Sequence, residues 1–375
     1  MNVKIVLAHF CVWSLYSVVL ASAQSSAVKP DQAPAAKPAR SSAKEKKQDR
    51  STRHLQIVQT ISSPSEIANA MRGSFKCDSD GDLYLQVGAD PVPAILKLNP
   101  KGERISIFQA SVNPDMKLDV TGEFALQSGG DLYEFAFPHE ITRYVFAFKS
   151  DGSYKSAIKL QPGFPWAPSA LAVFAHGEFL ISGLEYDHDR TNPVMWPFNG
   201  IFSSDGRLLK EVKLEDDETL HDLAAAGDAR VSSTTNPSHN QAIDFSKMEP
   251  AADGNIFLMR WMNPAIFYAV SPGGEVVRRF TVDPGDSSFQ PVTMHVSGTR
   301  IAVLFTEPKT QEEVIKVVDL EGHEVETFDQ PVVNGQPKYG RLGLGFACYT
   351  DYPERFTFLS TGDDDKLEFT IAEPQ

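Results

Sequence analysis

Long apolar runs and cysteine are both scarce in this 375-residue sequence. After the N-terminal segment, no stretch approaches the roughly 18 apolar residues that a second membrane-spanning helix needs. The chain has three cysteines, with no C-x-x-C pair and no G-x-S-x-G motif. Neither His139-Glu140 nor His323-Glu324 has the second histidine of a zinc-protease helix. A structural zinc site and a nucleophilic serine therefore have no support in the sequence.

The one long apolar run lies at the N-terminus, MNVKIVLAHFCVWSLYSVVLASAQ. Lys4 precedes the run, and Ala21-Ser22-Ala23 follows it. This order predicts a secretory signal peptide over residues 1–23, cleaved after Ala23. The alternative is an uncleaved membrane anchor. We expect the mature protein to be exported, to the periplasm or the extracellular space.

Residues 24–53 contain almost no large apolar side chains and predict a disordered tether. Eight basic and three acidic residues give this segment a net charge of +5, and Lys4 adds +1. Because the net charge of the whole chain is −14, residues 54–375 carry −20. We expect an acidic body that binds no nucleic acid, and a tether that touches membranes only peripherally. A plain solvated spacer is the alternative. We expect a monomer.

Two sets of glycine turns repeat along residues 54–375. Inner turns contain Gly81, Gly130, Gly177, Gly254 and Gly298, and outer turns contain Gly102, Gly152, Gly206, Gly274 and Gly322. Successive outer turns are 48 to 68 residues apart. A period near 50 residues with four short strands per period is typical of propeller blades.

The strand patterns distinguish inner from outer strands. Segments such as IFLM and AIFYAV are continuously apolar, as expected of strands buried on both faces, whereas RLLKEVKL mixes charged and apolar residues. Only three strands follow the fifth unit, and the segment at 54–61, HLQIVQTI, can supply the fourth. The sequence predicts an all-β, six-bladed β-propeller of four-stranded antiparallel blades over 54–375, its last blade closed by the N-terminal strand.

Extra chain is concentrated in the third blade. An insertion at about 215–246 has helical composition near its middle, at 218–226, and a long connection occupies 185–199. Both connection types open on the same face of a propeller. We therefore expect a lid or a wall over one mouth of the central channel.

The repeated turns DGDLY, GGDLY and DGNIF resemble those of six-bladed propellers of the NHL and TolB-like superfamily, which includes the SMP-30-like lactonases. The resemblance implies the fold, but it extends to lactonases, lyases, quinoproteins and pure binding modules. Lactonases of this type hold calcium or a similar metal at the channel mouth, with ligands that begin at an E-G-P in the first blade. Here the first blade reads RGSFKCDSDG, without that glutamate.

Cys77 and Cys348 occupy comparable places in the innermost strands of the first and sixth blades. These blades become neighbours when the ring closes, so we predict a disulfide between the two residues. Two buried free thiols are the alternative.

Aromatic and basic residues on the expected open face form a candidate ligand pocket: Trp166, Tyr186, Arg190, Trp196, Trp261, Tyr339 and Arg341. Such a pocket could stack a sugar, a peptide or an aromatic ring. Packing of the same aromatic residues between blades is the alternative.

Asp187, His188 and Asp189 form the densest polar cluster of the open face, with His221 nearby in the insertion and Asp222 and His239 as further candidates. These side chains could hold one divalent metal ion such as calcium. Adjacent residues of an extended loop point in different directions, however, so a solvated loop is the alternative.

These patterns favour an exported ligand-binding or protein-interaction scaffold of the cell envelope. Its partner would be a small molecule, a glycan, a peptide or an envelope protein. The alternative function is a metal-dependent, lactonase-like hydrolase or lyase at the mouth of the central channel, with His188 and Asp187 or Asp189 as its metal or acid–base groups.

Overall fold

A computed structural model of the chain describes residues 52–62, 71–88, 92–112, 116–138, 142–186, 196–228, 231, 241–244, 246–329, 332–333, 336–337, 345–361 and 367–375. These residues belong to one compact unit, Ser51–Gln375. The expected signal peptide and nearly all of the expected tether lie outside the described residues. Within the described part of the chain, no helix combines the length and the apolar character needed to cross a membrane.

Six four-stranded sheets make up the fold. The chain enters through β1 (Leu55–Ser62). The first blade contains β2 (Met71–Cys77), β3 (Leu83–Val87), β4 (Ala94–Leu98) and β5 (Arg104–Gln109). The second contains β6 (Leu118–Leu126), β7 (Leu132–Pro138), β8 (Tyr144–Phe148) and β9 (Tyr154–Lys159), and the third contains β10 (Trp166–Val173), β11 (Phe179–Glu185), β12 (Trp196–Phe202) and β13 (Leu208–Glu211).

Two short helices, α1 (Asp217–Ala225) and α2 (Gln241–Asp244), separate the third blade from the fourth. The fourth blade contains β14 (Lys247–Pro250), β15 (Ile256–Arg260), β16 (Ala265–Val270) and β17 (Val276–Val282). The fifth contains β18 (Gln290–Ser297), β19 (Arg300–Thr306), β20 (Glu313–Asp319) and β21 (Glu324–Asp329). A small hairpin follows, β22 (Val332–Val333) and β23 (Gln336–Pro337), and the sixth blade contains β24 (Phe346–Asp351), β25 (Glu354–Thr361) and β26 (Leu367–Pro374).

The N-terminal strand completes the sixth blade. In that sheet the order is β1-β26-β25-β24, and β1 runs antiparallel to β26 from Leu55 opposite Pro374 to Ser62 opposite Glu368. The prediction of a six-bladed propeller closed by its N-terminal strand is confirmed. The closure pairs an edge of β26 that would otherwise be open to other chains.

The hydrophobic core lies between blades rather than at the centre of the ring. Six clusters of buried side chains each join two neighbouring blades, and one of them joins the sixth blade to the first. The innermost strands also contact one another in sequence around the ring. Because every blade contributes both of its faces to the core, β3, β11, β15 and β19 are almost wholly buried.

Cys77 of the first blade and Cys348 of the sixth blade are joined by a disulfide, with their Cα atoms 5.4 Å apart and a sequence separation of 271. The bond lies in the core cluster between the two blades, beside Leu83 and Leu359. Hydrogen bonds of β1 and a covalent bond therefore close the ring together.

The two faces of the disc differ in their connections. One face carries the tight turns from first to second and from third to fourth strands, and we call it the turn face. The other face carries the second-to-third connections and the links between blades, which include α1 and α2. We call it the insertion face. Loops of this face have the greatest freedom to vary in length and chemistry.

Gly206, in the outer turn of the third blade, illustrates why the turns need glycine. Its φ is +86°, and its carbonyl accepts a hydrogen bond from the N–H of Gln161, at 2.8 Å. A Cβ at this position would lie 2.1 Å from the carbonyl oxygen of Lys159. The turn therefore needs glycine both for its positive φ and for its close approach to the chain that enters the blade.

Replacing Gly206 by alanine should destabilise the protein more than replacing Gly254, whose φ is similar at +84° but whose Cβ would meet no atom within 4 Å. We expect a loss of about 1 kcal/mol for Gly254→Ala from the backbone conformation alone, and at least about 1 kcal/mol more for Gly206→Ala. Urea unfolding of both variants measures the difference. Equal losses would show that the close approach to Lys159 does not contribute.

Removing the disulfide should lower stability because the bond restricts a very long loop in the unfolded chain. We expect Cys77→Ala with Cys348→Ala to lose about 2–5 kcal/mol. Urea unfolding with and without a thiol reductant measures the loss. The reductant should lower the unfolding midpoint of the native protein and leave that of the double variant unchanged. A double variant that unfolds at the same midpoint as the native, oxidised protein would contradict the expectation.

Candidate functional site

The insertion is packed firmly onto the third and fourth blades. Leu220 and Ala224 of α1 and Ala242 and Ile243 of α2 form a buried cluster with Leu184, near the end of β11. The apolar side of each short helix is thus covered by the propeller. The described residues of α1 and α2 therefore pack on the insertion side of the ring, because their apolar side chains have a blade to bury against.

A fully buried arginine anchors α1 to the ring. The Arg260 guanidinium donates to the hydroxyls of Ser182 and Ser246, at 3.3 and 3.4 Å, and to the side-chain oxygens of Asn199 and Asp217, at 3.2 and 3.0 Å. Asp217 is the first residue of α1. Because a buried cation needs a counter-charge, the ion pair restrains the start of the helix.

Trp196 stands exposed at the start of β12, held in place by α1. Its indole stacks on the His221 imidazole with ring centroids 3.4 Å apart and planes 2° apart. Trp196 is 43% exposed, whereas His221 is 7% exposed. The stack on His221 restrains the orientation of this accessible aromatic residue.

Beside this stack, Arg143 and Tyr186 lie between the second and third blades. The Arg143 guanidinium carbon is 5.2 Å from the centroid of the Phe137 ring. Burial lowers the pKa of Arg143, and burial raises the pKa of the Tyr186 phenol against the opposing effect of the Arg143 charge. Both side chains keep partial exposure. Sequence reasoning missed Arg143, since a single arginine before a strand forms no motif.

Trp166 and Trp261 are the two other predicted pocket residues that the structure describes. Trp166 is 6% exposed, stacks on Phe202 and meets Phe198 edge to face, so it belongs to the core between the second and third blades and is unavailable to a ligand. Its expected role in ligand binding is therefore wrong. Trp261 is partly buried, and its backbone N–H donates to the Ala242 carbonyl at 3.2 Å.

Three further candidates, Arg190, Tyr339 and Arg341, lie outside the described residues. So do the proposed metal ligands Asp187, His188, Asp189 and His239. Among residues that the structure does describe, no three His, Cys, Asp or Glu side chains are grouped to hold a metal ion.

His221 is placed beneath the indole of Trp196 rather than on an open surface. Its Nδ1 lies 3.4 Å from the Asp222 carboxylate, and its Nε2 is buried with no hydrogen-bond partner in the described part of the chain. The stacking explains its position without a metal ion.

Four charged residues from innermost strands line the central channel on the side of the turn face. The Lys76 ammonium is 3.3 Å from the Glu123 carboxylate, and the His295 Nδ1 is 3.3 Å from that of Glu249. Burial raises the pKa of Glu249, but His295, Lys76 and the N–H of Val296 together outweigh it and hold the pKa below its usual range. Basic and acidic side chains of the first, second, fourth and fifth blades are thus paired at this end of the ring.

Glu134 is a buried carboxyl that pairs with no cation in the described part of the chain. It lies between the first and second blades, where the Gln86 amide donates to its Oε1 at 3.1 Å, while its Oε2 is buried without a partner among the described residues. Burial raises the pKa of Glu134 to about 8. This carboxyl is therefore mostly protonated at neutral pH, which avoids an unpaired buried charge.

No known family model matches the chain, and no curated protein matches it. Solved structures do show a likeness. A Bacteroides caccae protein of unknown function is 11% identical with a TM-score of 0.42, over 69% of this chain and 81% of its own. The Neurospora crassa Pan2 WD40 domain is 10% identical with a TM-score of 0.41, over 87% and 97%.

A structure from a study of two prolyl endopeptidases is 12% identical with a TM-score of 0.37, over 79% of this chain and 47% of that one. The chain is a six-bladed propeller. Likenesses this distant carry no argument about a ligand or an activity, and membership of the NHL and TolB-like superfamily stays a prediction.

Glu134 makes stability depend on pH in a definite direction. Its pKa is about 8 in the folded protein and near 4.5 unfolded, so protonation favours folding at low pH, and this stability is lost as pH rises from about 4.5 to about 8. Relative to wild type, Glu134→Gln should gain stability with pH across this range, by up to about 1.4 kcal/mol per unit. Urea unfolding at pH 5 and pH 8 measures the gain.

The control is Glu211→Gln, which changes an exposed glutamate of β13. Its stability difference from wild type should be the same at both pH values. A pH-independent difference for Glu134→Gln as well would show that Glu134 is ionised in the folded protein.

Proposed function

We propose that the protein is an exported propeller of NHL or TolB-like type that acts as a binding scaffold, and that its partner binds over the insertion face. The observation that carries this proposal is the exposed indole of Trp196, stacked on the buried His221. A tryptophan already held in one orientation loses little conformational freedom when a partner covers it. Rigid aromatic side chains of this kind are frequent energetic centres of interfaces.

The construction of the insertion face supports the same role. α1 is tied to the ring by the Arg260–Asp217 ion pair and by its apolar contacts, so Trp196 and its support move as one unit with the blade. A rigid ring that presents side chains from loops and insertions is a suitable frame for recognition. The partner fits best as a peptide segment or a glycan, because both can place an apolar surface on an indole.

Export and tethering are part of the proposal. The N-terminal charge and apolar pattern supports secretion, and a disulfide between Cys77 and Cys348 would persist in an oxidising compartment. The acidic body supports a protein or glycan partner over a nucleic acid. The metal-dependent hydrolase or lyase alternative rests on residues 187–189, and no contact among the described residues favours it.

Replacing Trp196 by alanine should weaken binding far more than folding. We would screen labelled mature protein on peptide and glycan arrays and titrate the strongest ligand against the wild type and the variants. We expect Trp196→Ala to lower affinity at least about tenfold, or about 1.4 kcal/mol, because the indole supplies preorganised apolar area. Its unfolding free energy should change by about 0.5 kcal/mol, as for other surface changes.

Tyr352→Ala is the matched control, because Tyr352 is an aromatic residue with 94% exposure in a turn of the opposite face. It should leave the affinity unchanged. Equal losses for both variants, or a loss confined to Tyr352→Ala, would overturn the assignment of the insertion face.

A further inference from the structure

Arg143 on the insertion face has no counter-ion among the residues that the structure describes. It immediately precedes β8 and lies over the ring of Phe137 in β7. In the described part of the chain its guanidinium has no ion pair and no hydrogen bond. Seven other arginines are each paired with a carboxylate: Arg53, Arg207, Arg260, Arg278, Arg279, Arg300 and Arg355.

The surroundings of Arg143 make this unusual. Its side chain is only partly exposed, and burial acts against its charge. The ring of Phe137 occupies one side, and Phe137 and Phe164 both pack against the apolar core between the second and third blades. A partly desolvated guanidinium without a counter-charge is unfavourable unless an anion completes the site.

Tyr186 supplies a second donor at the same place. It follows β11 of the neighbouring blade, and the hydrogen bond of its N–H to the Pro165 carbonyl, at 3.0 Å, restrains its backbone. The phenol is close enough to Arg143 for the two groups to interact electrostatically. An anion over the guanidinium can therefore accept from the arginine N–H groups and from the tyrosine hydroxyl.

The charge and shape of the site favour a carboxylate. The N–H donors of a guanidinium point outward in its plane, so contact of one face with an aromatic ring leaves them free to bind a planar, bidentate acceptor. The site offers a single positive charge in a body that carries −20 over residues 54–375, and Asp244 also acts electrostatically on Tyr186. A singly charged anion fits this balance better than a phosphate dianion does.

We propose that Arg143, with Phe137 beneath it and Tyr186 beside it, forms a subsite for a carboxylate group of the ligand that the insertion face binds. This inference rests on the proposed function and specifies the chemistry of the ligand. The carboxylate comes from an acidic peptide or from a uronic acid of a glycan. Since both sources present the same group, the experiment compares them.

Arginine modification by phenylglyoxal tests the subsite on the unmodified mature protein. The labelling rate of Arg143, followed by peptide mass spectrometry, should fall with added N-acetylglutamate α-amide or glucuronate, each of which carries one carboxylate, by about tenfold at ten times the Kd of the anion. N-acetylglutamine α-amide, glucose and sodium chloride at equal ionic strength should not protect. The stronger of the two acids identifies the peptide or the glycan as the source.

Arginines in the same digest serve as internal controls. The carboxylates should not change the labelling of Arg207, in the outer turn of the third blade, or of Arg355, near the start of β25, because both are paired with carboxylates. Arg260 should stay unlabelled because it is 0% exposed. The proposal is overturned if Arg143 is unreactive, if the neutral analogues protect it equally, or if inorganic phosphate protects it better than either acid.

A variant comparison gives a second readout. The better-protecting acid should raise the melting temperature of the wild type and of Arg207→Gln, but not that of Arg143→Gln; Arg143→Lys replaces the glutamine variant if that one fails to fold. An equal rise for the Arg143 variant would overturn the proposal. If the arrays give no ligand but the acids still protect Arg143 from labelling, the proposed function fails and the carboxylate subsite stands. If a ligand binds through Trp196 but neither acid protects Arg143, the proposed function stands and the subsite fails.

Discussion

Closure of the ring is the constraint on which the rest of the structure depends. Each blade buries both faces against its neighbours, so an open ring would leave the first and sixth blades with apolar faces in water. The hydrogen bonds between β1 and β26 and the disulfide between Cys77 and Cys348 hold these two blades together. Apolar contact, backbone hydrogen bonding and a covalent bond thus act at one seam.

A closed ring also determines where polar groups can be buried. On the turn-face side of the channel, Lys76, Glu123, Glu249 and His295 meet because four separate innermost strands converge there. Near the insertion face, Arg260 joins the blades to α1. The described contacts of α1 and of the third blade therefore hold the Trp196–His221 stack in one orientation, and Phe137 holds Arg143.

Local patterns predicted the blades well and the site only in part. Glycine turns such as the one at Gly206 and apolar strands such as β15 depend on neighbouring residues, so they can be recognised in the sequence. Trp166 could not be placed that way, because a register shift between Pro168 and Ala170 in β10 and the rings of Phe198 and Phe202 decide its environment. The position of Arg143 over Phe137 and apart from every described carboxylate is likewise a property of packing alone.

The sequence by itself determined the number of blades, the antiparallel pairing within them and the composite sixth blade, since strand periodicity and turn chemistry act over short distances. Only the tertiary structure decided which polar and aromatic side chains meet. His221 beneath Trp196, Glu134 without a cation and Arg143 beside Tyr186 each bring together residues from different elements or blades. Contacts of that kind depend on how the blades pack, and no local pattern of residues encodes them.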